Sequence, residues 1–123
     1  VKSNPNPDNL LLLVSDHVNG KFERVEGFDD SMGAQTKGMY EAPTAVKLAD
    51  GRWCLFADFY GAGCAGQGYV PFVSDDLTKG VFTRADEAFH FPYGFKHGTI
   101  LPITEEEYER MLARDWTDVP DLR

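Results

Sequence analysis

Thr44-Ala45-Val46-Lys47-Leu48, Trp53-Cys54-Leu55-Phe56-Ala57-Asp58-Phe59, Tyr69-Val70-Pro71-Phe72-Val73-Ser74 and Val81-Phe82-Thr83-Arg84 follow one another with little but turn formers between them. Each run has strand length and is rich in β-branched and aromatic residues. The separators are Asp50-Gly51, the Gly-rich stretch 61–68 and the polar stretch 75–80. Gly supplies positive φ and Asp bonds to nearby backbone, so both mark turns rather than strand interiors. The pattern predicts one four-stranded antiparallel sheet over residues 44–84.

An internal echo extends this reading outward. Val14-Ser15-Asp16 is followed by Gly20-Lys21-Phe22, and Val73-Ser74-Asp75 is followed by Gly80-Val81-Phe82, with one extra loop residue in the second copy. Each copy reads as strand, polar turn, strand. Repeats on this scale point to solenoids, propellers or arrays, and a four-stranded antiparallel meander is the blade of a propeller. Residues 10–26 then read as the outer strands of one blade, 44–84 as a complete blade, and 97–102 as the first strand of the next. Residues 104–114 read as a helix. Thr104 with Glu107 forms a capping box, and Tyr108, Met111 and Leu112 make an apolar stripe. That stripe is expected to pack on the sheet edge as a structural cap. The fold class is therefore all-β: about two blades of a partial propeller, in one domain, with a short C-terminal α-helix.

Bulk properties narrow the function. The 123 residues suffice for one domain with a modest core. A net charge of −8 argues against nucleic acid and against anionic membrane surfaces as partners. No apolar run approaches the roughly 20 residues of a membrane span. A neutral ligand suits this balance. The chain opens on Val1 in a polar Pro/Asn stretch without a signal-peptide pattern; the natural start is expected upstream, which leaves the compartment unassigned. Cys54 and Cys64 lack metal-ligand spacing; Cys54 reads as a small buried apolar residue, and no disulfide is expected.

Candidate site residues stand in three places. Glu41, in Tyr40-Glu41-Ala42-Pro43-Thr44, heads the first strand, where Pro43 restricts the backbone. It reads either as a proton donor or as an exposed charge paired with Lys37 or Lys47. His97, between Lys96 and Gly98-Thr99, reads either as a ligand-binding residue or as a hydrogen-bonded structural histidine. Phe89-His90-Phe91-Pro92-Tyr93-Gly94-Phe95 offers aromatic faces that suit the C–H faces of sugars, or packing between blades. Asp58 interrupts an apolar run and is either a site residue or the end of its strand. Gly61-Ala62-Gly63-Cys64-Ala65-Gly66 matches a dinucleotide fingerprint in letters only. That site requires a helix to open after the glycines, and here a strand with Pro71 follows. No nucleophile elbow is present.

Taken together, Glu41-Ala42-Pro43-Thr44, Gly51-Arg52-Trp53-Cys54-Leu55-Phe56, Ser74-Asp75-Asp76-Leu77, Lys96-His97-Gly98-Thr99 and Ile103-Thr104-Glu105-Glu106-Glu107-Tyr108 resemble glycoside hydrolase family 43. The resemblance spans residues 10–112 and implies the C-terminal portion of a five-bladed β-propeller glycosidase of the arabinanase, arabinofuranosidase or β-xylosidase type. It implies an inverting mechanism on arabinose- or xylose-containing saccharides. Glu41 matches the family's general acid. Lys96 and His97 match substrate-binding positions, and His97 a central-channel histidine beside which some members hold a calcium ion; no cofactor is required. The family has Gly where this chain has Ala42, and often Arg where it has Lys96, whose ammonium cannot form a bidentate fork. The family's base lies on the first blade and a third Asp on a later one; no residue here matches either. The chain is expected to supply the acid but not the base, to hydrolyse negligibly alone, and to need the missing blades or self-association. The competing reading is a non-catalytic propeller piece that binds carbohydrate or assembles with copies of itself. A small independent β-domain with an interaction role is a third.

Overall fold

The structure, a computed structural model, describes residues 10–35, 40–60, 68–89, 91, 94–115 and 117. Its centre is an antiparallel meander of β3 (Tyr40–Lys47), β4 (Trp53–Phe59), β5 (Gly68–Ser74) and β6 (Thr83–Arg84), paired in that order. A two-stranded ladder, β1 (Leu13–Val14) with β2 (Glu23–Arg24), precedes it, followed by helix α1 (Glu26–Gln35). Helix α2 (Glu105–Ala113) comes last. The all-β expectation with a C-terminal helix is met. Residues 97–102, read as a strand from the sequence, run as irregular chain with no ladder partner among the described residues.

The Val-Ser-Asp echo recurs in the backbone. Leu13 pairs with Arg24 and Val14 with Glu23 in the first hairpin; Phe72 pairs with Arg84 and Val73 with Thr83 in the second. In both, the serine hydroxyl accepts from the backbone N–H two residues on, that of His17 for Ser15 and that of Asp76 for Ser74. A short polar side chain mimics a backbone turn in this way, which is why Ser recurs there.

β4 is buried on both sides. Leu55 and Ala57 face one cluster, with Val70, Phe72 and Tyr40 of the neighbouring strands and Phe28 and Met32 of α1. Cys54 and Phe56 face the other, where Tyr69, Phe89, Phe91 and Ile100 pack. The segment after the sheet therefore lies across its second face. Edge-to-face ring pairs join Phe56 to Phe89 and to Phe91, at centroid distances of 5.1 and 5.2 Å.

Helix α1 escapes the sequence reading for a physical reason. Its ten residues include two glycines and three of Asp and Ser, all poor helix formers. Tertiary contacts hold it instead. Phe28 and Met32, four residues apart on one face, are buried in the first cluster. The Ser31 hydroxyl donates to the Phe82 carbonyl at 2.7 Å and accepts from the Phe82 N–H at 2.9 Å. The helix also lies close to the turn before β6: a Cβ on Gly27 would sit 2.4 Å from the Lys79 carbonyl oxygen.

The sequence placed α2 against the sheet edge, and here the structure corrects it. The capping box forms, with Thr104 and Glu107 bonded reciprocally, but every residue of α2 is exposed. Tyr108, Met111 and Leu112 face solvent, as do Leu101 and Ile103 before them. No helix among the described residues is long and apolar enough to cross a membrane.

Two outcomes follow from this packing. Replacing an interior helical Gly with Ala ordinarily stabilises by about 0.5–1 kcal/mol. Gly27→Ala should instead destabilise by about 1–3 kcal/mol, because the Lys79 carbonyl blocks the added methyl; urea denaturation reads the sign. Burial pushes the Cys54 thiol up to about 11, so its thiolate is scarce near neutrality. Alkylation of Cys54 at pH 8, followed by mass spectrometry, should run at least about 100-fold slower in the native protein than in urea.

Candidate active site

The site lies where β3 begins, β4 ends and β5 begins. One row of residues crosses these strands in register: Glu41 opposite Asp58, and Asp58 opposite Tyr69. Directly opposed residues project to the same face of a sheet, so all three side chains share the face that carries Cys54 and Phe56. Segment 95–98 lies over this row. The backbone N–H of His97 donates to Asp58 Oδ2 at 2.8 Å, and the Tyr69 hydroxyl donates to the Gly98 carbonyl. Two neighbouring strands thus grip consecutive residues of the overlying chain. Burial, then the nearby Asp58 charge, push the Tyr69 phenol above its ordinary range, which keeps it a donor.

The local sequence explains how Glu41 is presented. The pairing passes from Glu41–Asp58 to Thr44–Phe56, so Ala42 and Pro43 together oppose Ala57. This is a β-bulge, a device that re-aims a side chain at the end of a strand. Ala42 adopts φ +45°, the left-handed region, which costs a residue with a Cβ about 1–2 kcal/mol. Glycine takes that conformation without penalty, so the Cβ of Ala42 makes this bulge a strained one.

His97 is also left-handed, at φ +50°, and Gly98 follows because a Cβ there would meet the rings of Phe95 and Tyr69. The imidazole is 60% exposed, and its Nε2 stands 3.6 Å from Glu41 Oε1 and 3.7 Å from Asp58 Oδ2. Both distances are slightly too long for hydrogen bonds. The Glu41 side chain is 26% exposed, while that of Asp58 is fully buried. Phe95 stacks on Phe91, with centroids 5.8 Å apart and planes 15° from parallel, and remains 42% exposed. The rest of the aromatic run that the structure describes packs against the sheet: Phe89 and Phe91 are partly buried against the second cluster. Lys96 is half-buried beside His97.

Of the sequence-predicted residues, Glu41 and His97 are brought together, with Lys96 adjacent. Asp58, ambiguous in sequence, sits between them and the sheet. Tyr69 was read only as a strand residue. One signal for Asp58 was available: it follows Cys54 and Phe56 at alternate positions, so a carboxylate takes the next place on an apolar face. The Gly-rich stretch 61–67 lies outside the described residues, but β5 opens at Gly68 directly after it, and a strand cannot provide the helix terminus of a dinucleotide site. Among the described residues no group of three His, Cys, Asp or Glu side chains could hold a metal ion.

A family model described as a probable glycosyl hydrolase domain, related to family 43, matches residues 1–109. The chain belongs to that family. No curated protein and no solved structure matches it. The match covers every residue of the row and of the segment above it.

The strain at Ala42 gives a direct check on this geometry. Ala42→Gly removes the left-handed penalty and adds unfolded-chain entropy, for a net stabilisation of about 0.5–1 kcal/mol. A lower urea midpoint in this variant would contradict the bulge as described.

Proposed function

We propose that this domain acts on arabinose- or xylose-containing oligo- and polysaccharides, with Glu41 as the general acid of an inverting hydrolysis. One observation carries the reading: the bulge presents a partly exposed Glu41 at the end of the sheet, 3.6 Å from the His97 imidazole. In this mechanism the Glu41 carboxyl gives its proton to the glycosidic oxygen as the bond from that oxygen to the anomeric carbon breaks. A second carboxylate takes a proton from the water that attacks the opposite face. No residue of this chain is assigned that second role. His97 and Lys96 would bond to sugar hydroxyls, with Lys96 as a single-point donor rather than a fork. Phe95 would receive the C–H face of a sugar ring.

A second reading has its own observation. The exposed apolar side chains of Leu101, Ile103, Tyr108, Met111 and Leu112 favour association of this end of the chain with further β-structure or with another copy. In that case the chain binds saccharide without turning it over.

Saccharide binding is the primary readout, because turnover also requires a base. Titration with xylo- and arabino-oligosaccharides, followed by NMR, should shift the amides of Phe95, His97 and Gly98. His97→Ala should weaken binding by about tenfold, equivalent to about 1.4 kcal/mol. Glu41→Gln should leave affinity within about threefold and cut any turnover of aryl arabinofuranosides or xylosides by about 10²–10⁴-fold. No binding at millimolar saccharide, or full activity in Glu41→Gln, overturns the proposal.

A further inference from the structure

Asp58 is an unusual residue to bury. Its side chain has no solvent exposure, and it continues the apolar series Cys54, Phe56 on the packed face of β4. A carboxylate placed there loses its hydration. Among the described residues, Oδ1 has no hydrogen-bond partner, and the one hydrogen bond to Oδ2 comes from the His97 backbone N–H. Nothing in the packing of the sheet requires a charge at this point. An apolar side chain of the same shape would continue the face, and an amide would keep the hydrogen bond without the charge.

What Asp58 does touch is the site. Its cross-strand partner is Glu41, and the next residue, Ala42, is left-handed. Its hydrogen-bond donor is His97, the other non-glycine residue in the left-handed region among those described. Two strained positions therefore flank one buried carboxylate, and strain of this kind persists only where the surroundings over-determine it. The groups facing the His97 imidazole from the sheet are Glu41 on β3 and Asp58 on β4; Tyr69 on β5 holds the next residue, Gly98, by its carbonyl.

We infer that Asp58 is the positioning residue of this site: from inside the sheet it fixes the left-handed turn at His97 and thereby sets the imidazole against Glu41. What Asp58 supplies is an acceptor at one place. The value of this placement to catalysis rests on the reading of Glu41 as the acid, but the placement itself does not.

The test uses the full chain and two variants. Asp58→Leu keeps the shape and removes the acceptor; Asp58→Asn keeps an acceptor and removes the charge. In Asp58→Leu the His97 amide should lose at least about tenfold of its hydrogen-exchange protection, while the urea midpoint stays at or above that of the unaltered chain. Saccharide affinity should fall about tenfold. Asp58→Asn should return both the protection and the affinity to within about threefold. A merely structural carboxylate gives a different pattern, with a lower urea midpoint in Asp58→Leu and loss spread over the whole sheet. That pattern, or unchanged protection at His97, overturns the inference. If Asp58→Leu does not fold, the inference falls unless Asp58→Asn is native in both measurements. Amide exchange needs no saccharide, so loss of protection at His97 in a chain that binds no sugar would uphold the placement while the function proposed above fails.

Discussion

Strand β4 gives both of its faces to packing, and the rest of the molecule is arranged around that fact. Odd positions point to the cluster that holds α1, and even positions to the cluster covered by the segment after β6. A strand buried on both faces cannot slip by one residue without moving every side chain into the wrong cluster. Its register with β3 and β5 is therefore tightly specified, and so is the row Glu41–Asp58–Tyr69 at its end. Burial of the four side chains Cys54, Leu55, Phe56 and Ala57 supplies on the order of several kcal/mol. That is enough to carry one unfavourable group in the same strand.

The unfavourable groups gather at one end of the sheet. Asp58 is a desolvated carboxylate, and Ala42 and His97 hold positive φ. Away from this end the sheet is regular, and the β3–β4 turn places a glycine, Gly51 at φ +90°, where positive φ is needed. Asp50 and Arg52 close that turn, and the side-chain hydrogen bond between them holds the Asp50 carboxyl below its ordinary range. The contrast separates the two ends physically: at the turn end each local choice agrees with the fold, and at the other end several do not. Local conflict of this sort is the usual mark of a functional site.

How much of this was legible in the sequence depended on whether the signal was local. The four central strands could be read because β-branched and aromatic runs alternate with Asp-Gly and Gly-rich stretches, and the α2 cap because Thr104 and Glu107 have capping-box spacing. α1 could not, because its stability resides in Phe28, Met32 and Ser31 meeting residues some 50 positions away, while its own composition speaks for a loop. The exposure of α2 was equally hidden: an apolar stripe states that a helix can pack, not that its residues end up buried. At the site, Glu41 and His97 were found by the motifs that carry the family resemblance. Asp58 and Tyr69 needed the register, because nothing in a linear chain says that positions 41, 58 and 69 form a row.

The capping box of α2 has a consequence for how the molecule comes apart. The N–H groups of Thr104 and Glu107 at the start of that helix are met by the reciprocal cap, and its Glu107 carboxyl lies below the ordinary range because the Thr104 backbone and hydroxyl groups donate to it. The helix has nine residues and none of them is buried, a length at which isolated helices are marginal. An exposed helix of this length is expected to fray at a lower temperature than the sheet whose strands bury both faces of β4. Far-ultraviolet circular dichroism then records a gradual loss of helix on warming beneath a sharp sheet transition, so a single midpoint drawn from that signal describes neither.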